Sequence, residues 1–152
     1  MAFIADIVIY GQNGDLALVV ETKNKKGASI EWAQNMVRNM FVHSMMPKAP
    51  FFLLALPDHF FLWKNMNLDP EQTEKPYDIN PAPLLKPYYE KSGLVPETVS
   101  GESFALFVSS WLSEIIQLNE PTDIARRNKR WLINSGLFEA IKNGHLELEA
   151  RL

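Results

Sequence analysis

The chain has 152 residues, of which 47% are hydrophobic and 22% charged, a composition that builds one globular core rather than a disordered segment. There is no cysteine, which excludes a disulfide framework and any thiolate metal site. A net charge of −3 excludes a general polycation, so nucleic-acid binding requires a local basic patch.

The amino terminus, "MAFIADIVIY", has no cationic leader and reaches Asp6 at once, so it is not read as a signal peptide. Its β-branched and aromatic residues predict a strand over 2–10. Asn13-Gly14 is the strongest short hairpin signal, and a second strand follows over 16–23. Residues 24–28 carry two lysines and a glycine and read as a connector. Ser29 is the expected N-cap of an amphipathic helix from Ile30 to about Met45, with Glu31 complementing the helix dipole. Its apolar positions recur at Trp32/Ala33, Met36/Val37 and Met40/Phe41. "FFLLAL" (51–56) and "HFFLWK" (59–64) are two more strands joined by Pro57-Asp58; the first is far too short to span a bilayer.

Residues 65–102 hold six of the ten prolines, so an extended surface loop is expected there, with a short helical turn near Leu84–Lys91. Phe104, Phe107, Val108, Trp111, Leu112, Ile115 and Ile116 mark a core-facing helix. Pro121-Thr122 opens another through "ARRNKRWL", Ser135-Gly136 breaks it, and a short helix runs to Lys142. The basic group Arg126, Arg127, Lys129 and Arg130 reads first as a solvated helix face with Trp131 turned inward, and second as a grip on a nucleic-acid backbone. His43, His59 and His145 have no metal-ligand spacing. The expected architecture is a single α/β domain with a mixed sheet flanked by helices: a core over about 2–64, a Pro-rich loop over about 65–102 and a helical region over about 103–145.

The hairpin register carries the chemistry. In a two-residue turn Gln12 faces Asp15, and stepping back along both strands sets Asp6 opposite Glu21. Side chains alternate between faces, so Lys23 shares the face of Glu21, together with Val8, Tyr10, Ala17 and Val19. Opposed Cβ atoms lie about 4.5–5.5 Å apart. Two carboxylates at that distance repel unless a cation neutralises them, and Mg²⁺ or Mn²⁺ takes such hard oxygen ligands. A lysine beside them can hold a water against a phosphodiester.

An aspartate entering one strand (Ala5-Asp6) and Glu21-Thr22-Lys23 closing the next resembles the PD-(D/E)xK nuclease superfamily, the restriction-endonuclease-like fold, in its RecB-like branch. The resemblance implies a restriction-endonuclease-like core with a helical C-terminal extension and metal-dependent hydrolysis of phosphodiester bonds, in DNA. It implies Asp6, Glu21 and the backbone carbonyl of Thr22 as metal ligands, Lys23 as the catalytic cation, and Gln34 on the next helix as a further catalytic group. Lys25, Lys26 and Arg38 are the expected phosphate contacts. A non-catalytic nucleic-acid-binding or protein-interaction module on the same fold is the alternative. Members of the superfamily usually carry a helix and a strand ahead of the aspartate. Met1 lies five residues before it here, so a truncated or reduced member is expected. The sheet edge left open would be covered by a second copy or a partner chain. The expected setting is cytoplasmic, with DNA as partner and no membrane.

Overall fold

The computed structural model describes residues 4–43, 47–66, 75–120 and 130–152. Strands β1 (Ile4–Tyr10) and β2 (Leu16–Thr22) form the antiparallel hairpin. Helix α1 (Ile30–His43) carries the chain over to β3 (Phe51–Ala55), which lies parallel to β2, as a crossover connection allows. The Ser29 hydroxyl caps α1 by accepting the Trp32 N–H at 3.0 Å. Strand β4 (Phe60–Trp63) returns antiparallel to β3, and β5 (Tyr77–Ile79) pairs with β4. Then come α2 (Ala82–Ser92), α3 (Gly101–Ile116), α4 (Arg130–Asn134), α5 (Leu137–Ile141) and β6 (His145–Arg151). The six strands stand in the order β5-β4-β3-β2-β1-β6, a mixed sheet.

Both faces of the sheet are covered, which is why all five residues of β3 are buried and apolar. On one face Val8, Val19, Phe52 and Leu54 pack under Ala33 and Val37 of α1. On the other, Ile7, Ile9, Val20 and Leu53 pack under Leu85, Phe104, Val108, Leu112 and Phe138 from α2, α3 and α5. Among the described residues no helix is long and apolar enough to cross a membrane.

The hairpin keeps the expected register with a different turn. Ile7 pairs with Val20, Val8 with Val19 and Ile9 with Leu18, so the line of pairs runs on to Asp6 and Glu21. The turn is longer than two residues. Gly14 N–H donates to Gly11 O, and Gly11 N–H to Asp15 O, so Gln12 does not face Asp15. Gly14 takes φ +89°, the left-handed region that suits glycine. The extra length is absorbed by a bulge, since Tyr10 pairs with Leu16. Ala17 therefore joins the core with Ile7 and Ile9, not the face of Val8 and Val19 predicted for it.

Two further expectations are corrected. The described residues of 65–102 are not simply an extended loop with a helical turn: they contain β5 and the eleven-residue helix α2, which encloses the turn expected near Leu84–Lys91. Its prolines are tolerated because Pro83 stands in the first turn, where backbone N–H groups lack a partner in any case, and Leu84, Leu85 and Tyr89 are buried. The carboxyl-terminal residues, to which the sequence assigns no element, form β6, which pairs with β1 from Ile4↔Arg151 to Tyr10↔His145. The outer edge of β1, expected to need a partner chain or second copy, is covered by the chain itself. Arg126, Arg127 and Lys129 lie outside the described residues; Arg130 is exposed, and the Trp131 ring turns inward, 6.0 Å from that of Trp111.

The entry into β6 is tight. A Cβ at Gly144 would stand 2.3 Å from Tyr10 O and 2.7 Å from Ile141 O, both backbone atoms that cannot yield cheaply. Gly144→Ala is expected to cost about 1–3 kcal/mol, seen as a lower urea midpoint with unchanged slope. A midpoint equal to that of the parent would contradict this packing.

Candidate metal centre

The acids meet at the tip where β1 parts from β2. Asp6 is half-buried, and its Oδ2 accepts the Thr22 backbone N–H at 2.8 Å and the Thr22 hydroxyl at 3.2 Å. The carboxylate thus closes the end of the ladder and is held in one place. On its other side Ala5 pairs with Ala150 and Ile7 with Leu148, and between them Glu149 takes φ +47°. A left-handed non-glycine residue beside Asp6 is strain of the kind that gathers at functional positions.

Glu21 is the less comfortable partner. Its Oε1 is buried with no hydrogen-bond partner. Burial and, next, the Asp6 carboxylate push its pKa up to about 8, while the Asp6 backbone N–H and the Lys23 ammonium pull it down. Asp6 and Glu21 therefore stand within strong electrostatic reach of each other. Lys23 follows on the same strand end, fixed by its N–H to Ala55 O at 3.0 Å, with an exposed side chain.

These groups open onto both sides of the sheet. Asp6 and Thr22 line a cavity of about 430 Å³ beneath α3, with Glu102, Leu106 and Ser109. Lys23 lines a groove of about 660 Å³ along α1, with Trp32, Asn35, Met36, Asn39 and His43. Glu21, half-buried with its Oε1 fully covered, lines neither. The centre thus straddles the end of the sheet, where register alone would have put the three charges on one face.

The remaining predicted positions divide. Gln34 is half-buried and Arg38 exposed on α1, and neither lines the Lys23 groove. At about 3.6 residues per turn both fall on the opposite flank. Phe41, on the flank of Gln34, packs its ring 6.3 Å from Phe52 of β3. The α1 residues beside Lys23 are instead Trp32, Asn35 and Asn39, which sequence reasoning passed over. Their signal was their shared flank with Met36. Lys26 is engaged structurally: its ammonium donates to Glu97 O at 2.8 Å. With Asn24 Nδ2 donating to Val99 O and Gly27 N–H to Asp58 Oδ2, it fastens the connector after β2. The Lys25 ammonium lies over the Trp32 ring, 5.0 Å from its centroid.

Among the described residues no group of three or more His, Asp or Glu side chains converges on one point. The donor set is a carboxylate pair. That suits Mg²⁺ or Mn²⁺, which needs only one or two protein carboxylates and takes its other oxygens from water and phosphate. The orphaned Glu21 Oε1 beside a second acid fits such an ion. Compared with known protein families, curated proteins and solved structures, the chain matches none.

The raised pKa of Glu21 sets the pH dependence of stability. Between its ordinary value near 4.5 and about 8 the folded state holds a proton that the unfolded chain releases. The associated stability is complete below about pH 4.5 and is lost as pH rises through about 8. Urea midpoints of the metal-free protein are expected to fall over that range, and Glu21→Gln to remove this part of the fall. A variant with the same pH profile as the parent would contradict the assignment.

Proposed function

We propose that this chain is a metal-dependent nuclease that hydrolyses phosphodiester bonds in DNA. The observation that carries the reading is the buried, unpartnered Glu21 Oε1 beside the Asp6 carboxylate, with the Lys23 ammonium next along the strand. Asp6 and Glu21 would hold Mg²⁺ or Mn²⁺, and the resemblance adds the Thr22 carbonyl. Such an ion, when bound, supplies the positive charge that two crowded carboxylates need and Lewis acidity toward a phosphate oxygen.

The chain's own residues do the rest. Thr22 holds Asp6 through two hydrogen bonds, so one ligand is in position before any ion arrives. Glu21, protonated in the metal-free protein up to about pH 8, must surrender that proton to act as a ligand, so metal binding and activity gain as pH rises. Lys23, exposed and cationic, hydrogen-bonds the attacking water or a non-bridging phosphate oxygen and stabilises the charge that develops there. Partial burial of Asp6 and Glu21 strengthens the interactions of these two acids. Gln34 and Arg38, on the far flank of α1, receive no role in this reading.

Plasmid and linear DNA incubated with Mg²⁺ or Mn²⁺ are expected to be nicked or cut. Asp6→Asn and Lys23→Ala should each lower the rate by about 100-fold or more. Parent-like cleavage by Lys23→Ala would overturn the mechanism.

A further inference from the structure

The groove that Lys23 shares with α1 has a composition of its own. It measures about 660 Å³, within the range of about 300–1,000 Å³ typical of ligand pockets. Two parallel rows of α1 side chains form its wall. Trp32 and Met36, four residues apart, present an aromatic and apolar row. Asn35, Asn39 and His43, also spaced by four, present a polar row beside it. Lys23 closes one end, and Lys25 brings a second ammonium to the Trp32 ring. A packed core has no use for such a wall, since amides and ammonium groups facing apolar rings would be buried without partners.

We propose that this groove binds single-stranded DNA: the Lys25 ammonium leaves the Trp32 ring for a phosphate, a base stacks on the ring in its place, the Asn35 and Asn39 amides contact base edges or sugar, and Lys23 meets the next phosphate. This rests on the nuclease reading of the adjoining acids and names the form of substrate they act on. Two arguments select a single strand over a duplex. Stacking on an indole requires a base face that pairing and stacking in a duplex hide. Duplex binding draws its affinity from neutralising many phosphates, whereas the whole chain carries a net charge of −3 and this groove offers two lysines. An open groove with aromatic, amide and ammonium groups compensates by gripping bases as well as backbone. The strand enters along α1 and passes its phosphate toward the tip where Glu21 and Asp6 meet.

The test is fluorescence anisotropy on the full chain in EDTA, so that no cleavage intervenes. The probes are a short labelled oligodeoxythymidylate and a blunt duplex of the same length. The single strand is expected to bind about tenfold or more tighter than the duplex. Trp32→Ala should weaken it by about tenfold, with Trp32→Phe retaining most of the affinity. Asn39→Asp, which sets a negative charge on an exposed position of the groove, should weaken binding as well, and it decides the matter if Trp32→Ala fails to fold. Equal or tighter duplex binding overturns the proposal, and so does parent-like affinity in Asn39→Asp. The same oligonucleotide with Mn²⁺ separates the two readings. Binding that depends on Trp32 without any cleavage defeats the nuclease reading. Metal-dependent cutting with no loss of binding in Trp32→Ala and Asn39→Asp defeats the groove.

Discussion

The carboxylate of Asp6, accepting the backbone N–H and hydroxyl of Thr22, ties the first strand to the tip of the second. Everything at the candidate centre follows from that tie. It fixes one acid at the point where the ladder ends and so fixes the charge that its neighbour must tolerate. Glu21, beside it and half-buried, is left with one covered oxygen that nothing satisfies and a proton it would not hold in water. An unsatisfied buried carboxylate is tolerable where something else completes it.

The sheet provides the frame for this arrangement. The buried strand β3 and the crossover helix α1 hold β2 from one side, through pairs from Leu18↔Phe51 to Thr22↔Ala55. On the other side β1 is held by β6 over most of its length. The open end of the hairpin is therefore anchored on both flanks. The connector after β2 is also stapled down, through Asn24, Lys26 and Gly27, to residues remote in the chain. That makes the end of β2 a rigid platform, the setting that a two-ligand centre needs to hold its geometry.

Much of this was legible in the sequence, for reasons that separate by element. The β1–β2 register followed from alternation and from a turn signal near Asn13-Gly14. It survived a misread turn because the bulge at Ala17 absorbed the added length before the strands reached the acids. The α1 cap and its buried stripe followed from Ser29 and the apolar spacing. Strand β6 escaped notice because "HLELEAR" is mostly exposed and rich in glutamate, and its place is set by pairing with β1 rather than by burial. Helix α2 is legible only as a short turn near Leu84–Lys91, because Pro81, Pro83 and Pro87 argue against a longer helix on propensity and tertiary burial of Leu84, Leu85 and Tyr89 outweighs them. Gln34 was placed on the right helix but on the wrong flank for Lys23. Periodicity gives which residues share a flank, not which flank turns toward a strand end. The split of Asp6 and Lys23 between two cavities was equally beyond reach, since pairing register does not say which cavity a side chain at a strand end lines.

The most direct test of the carboxylate pair is calorimetric titration of Mn²⁺ into the protein at pH 7 in two buffers of different ionisation enthalpy. Glu21 must lose its proton to become a ligand, so close to one proton should be released for each ion bound, with about one ion per chain. Both the binding and the proton release should vanish in Glu21→Gln. Absence of binding, or Mn²⁺ affinity and proton release that survive unchanged in that variant, would contradict the account.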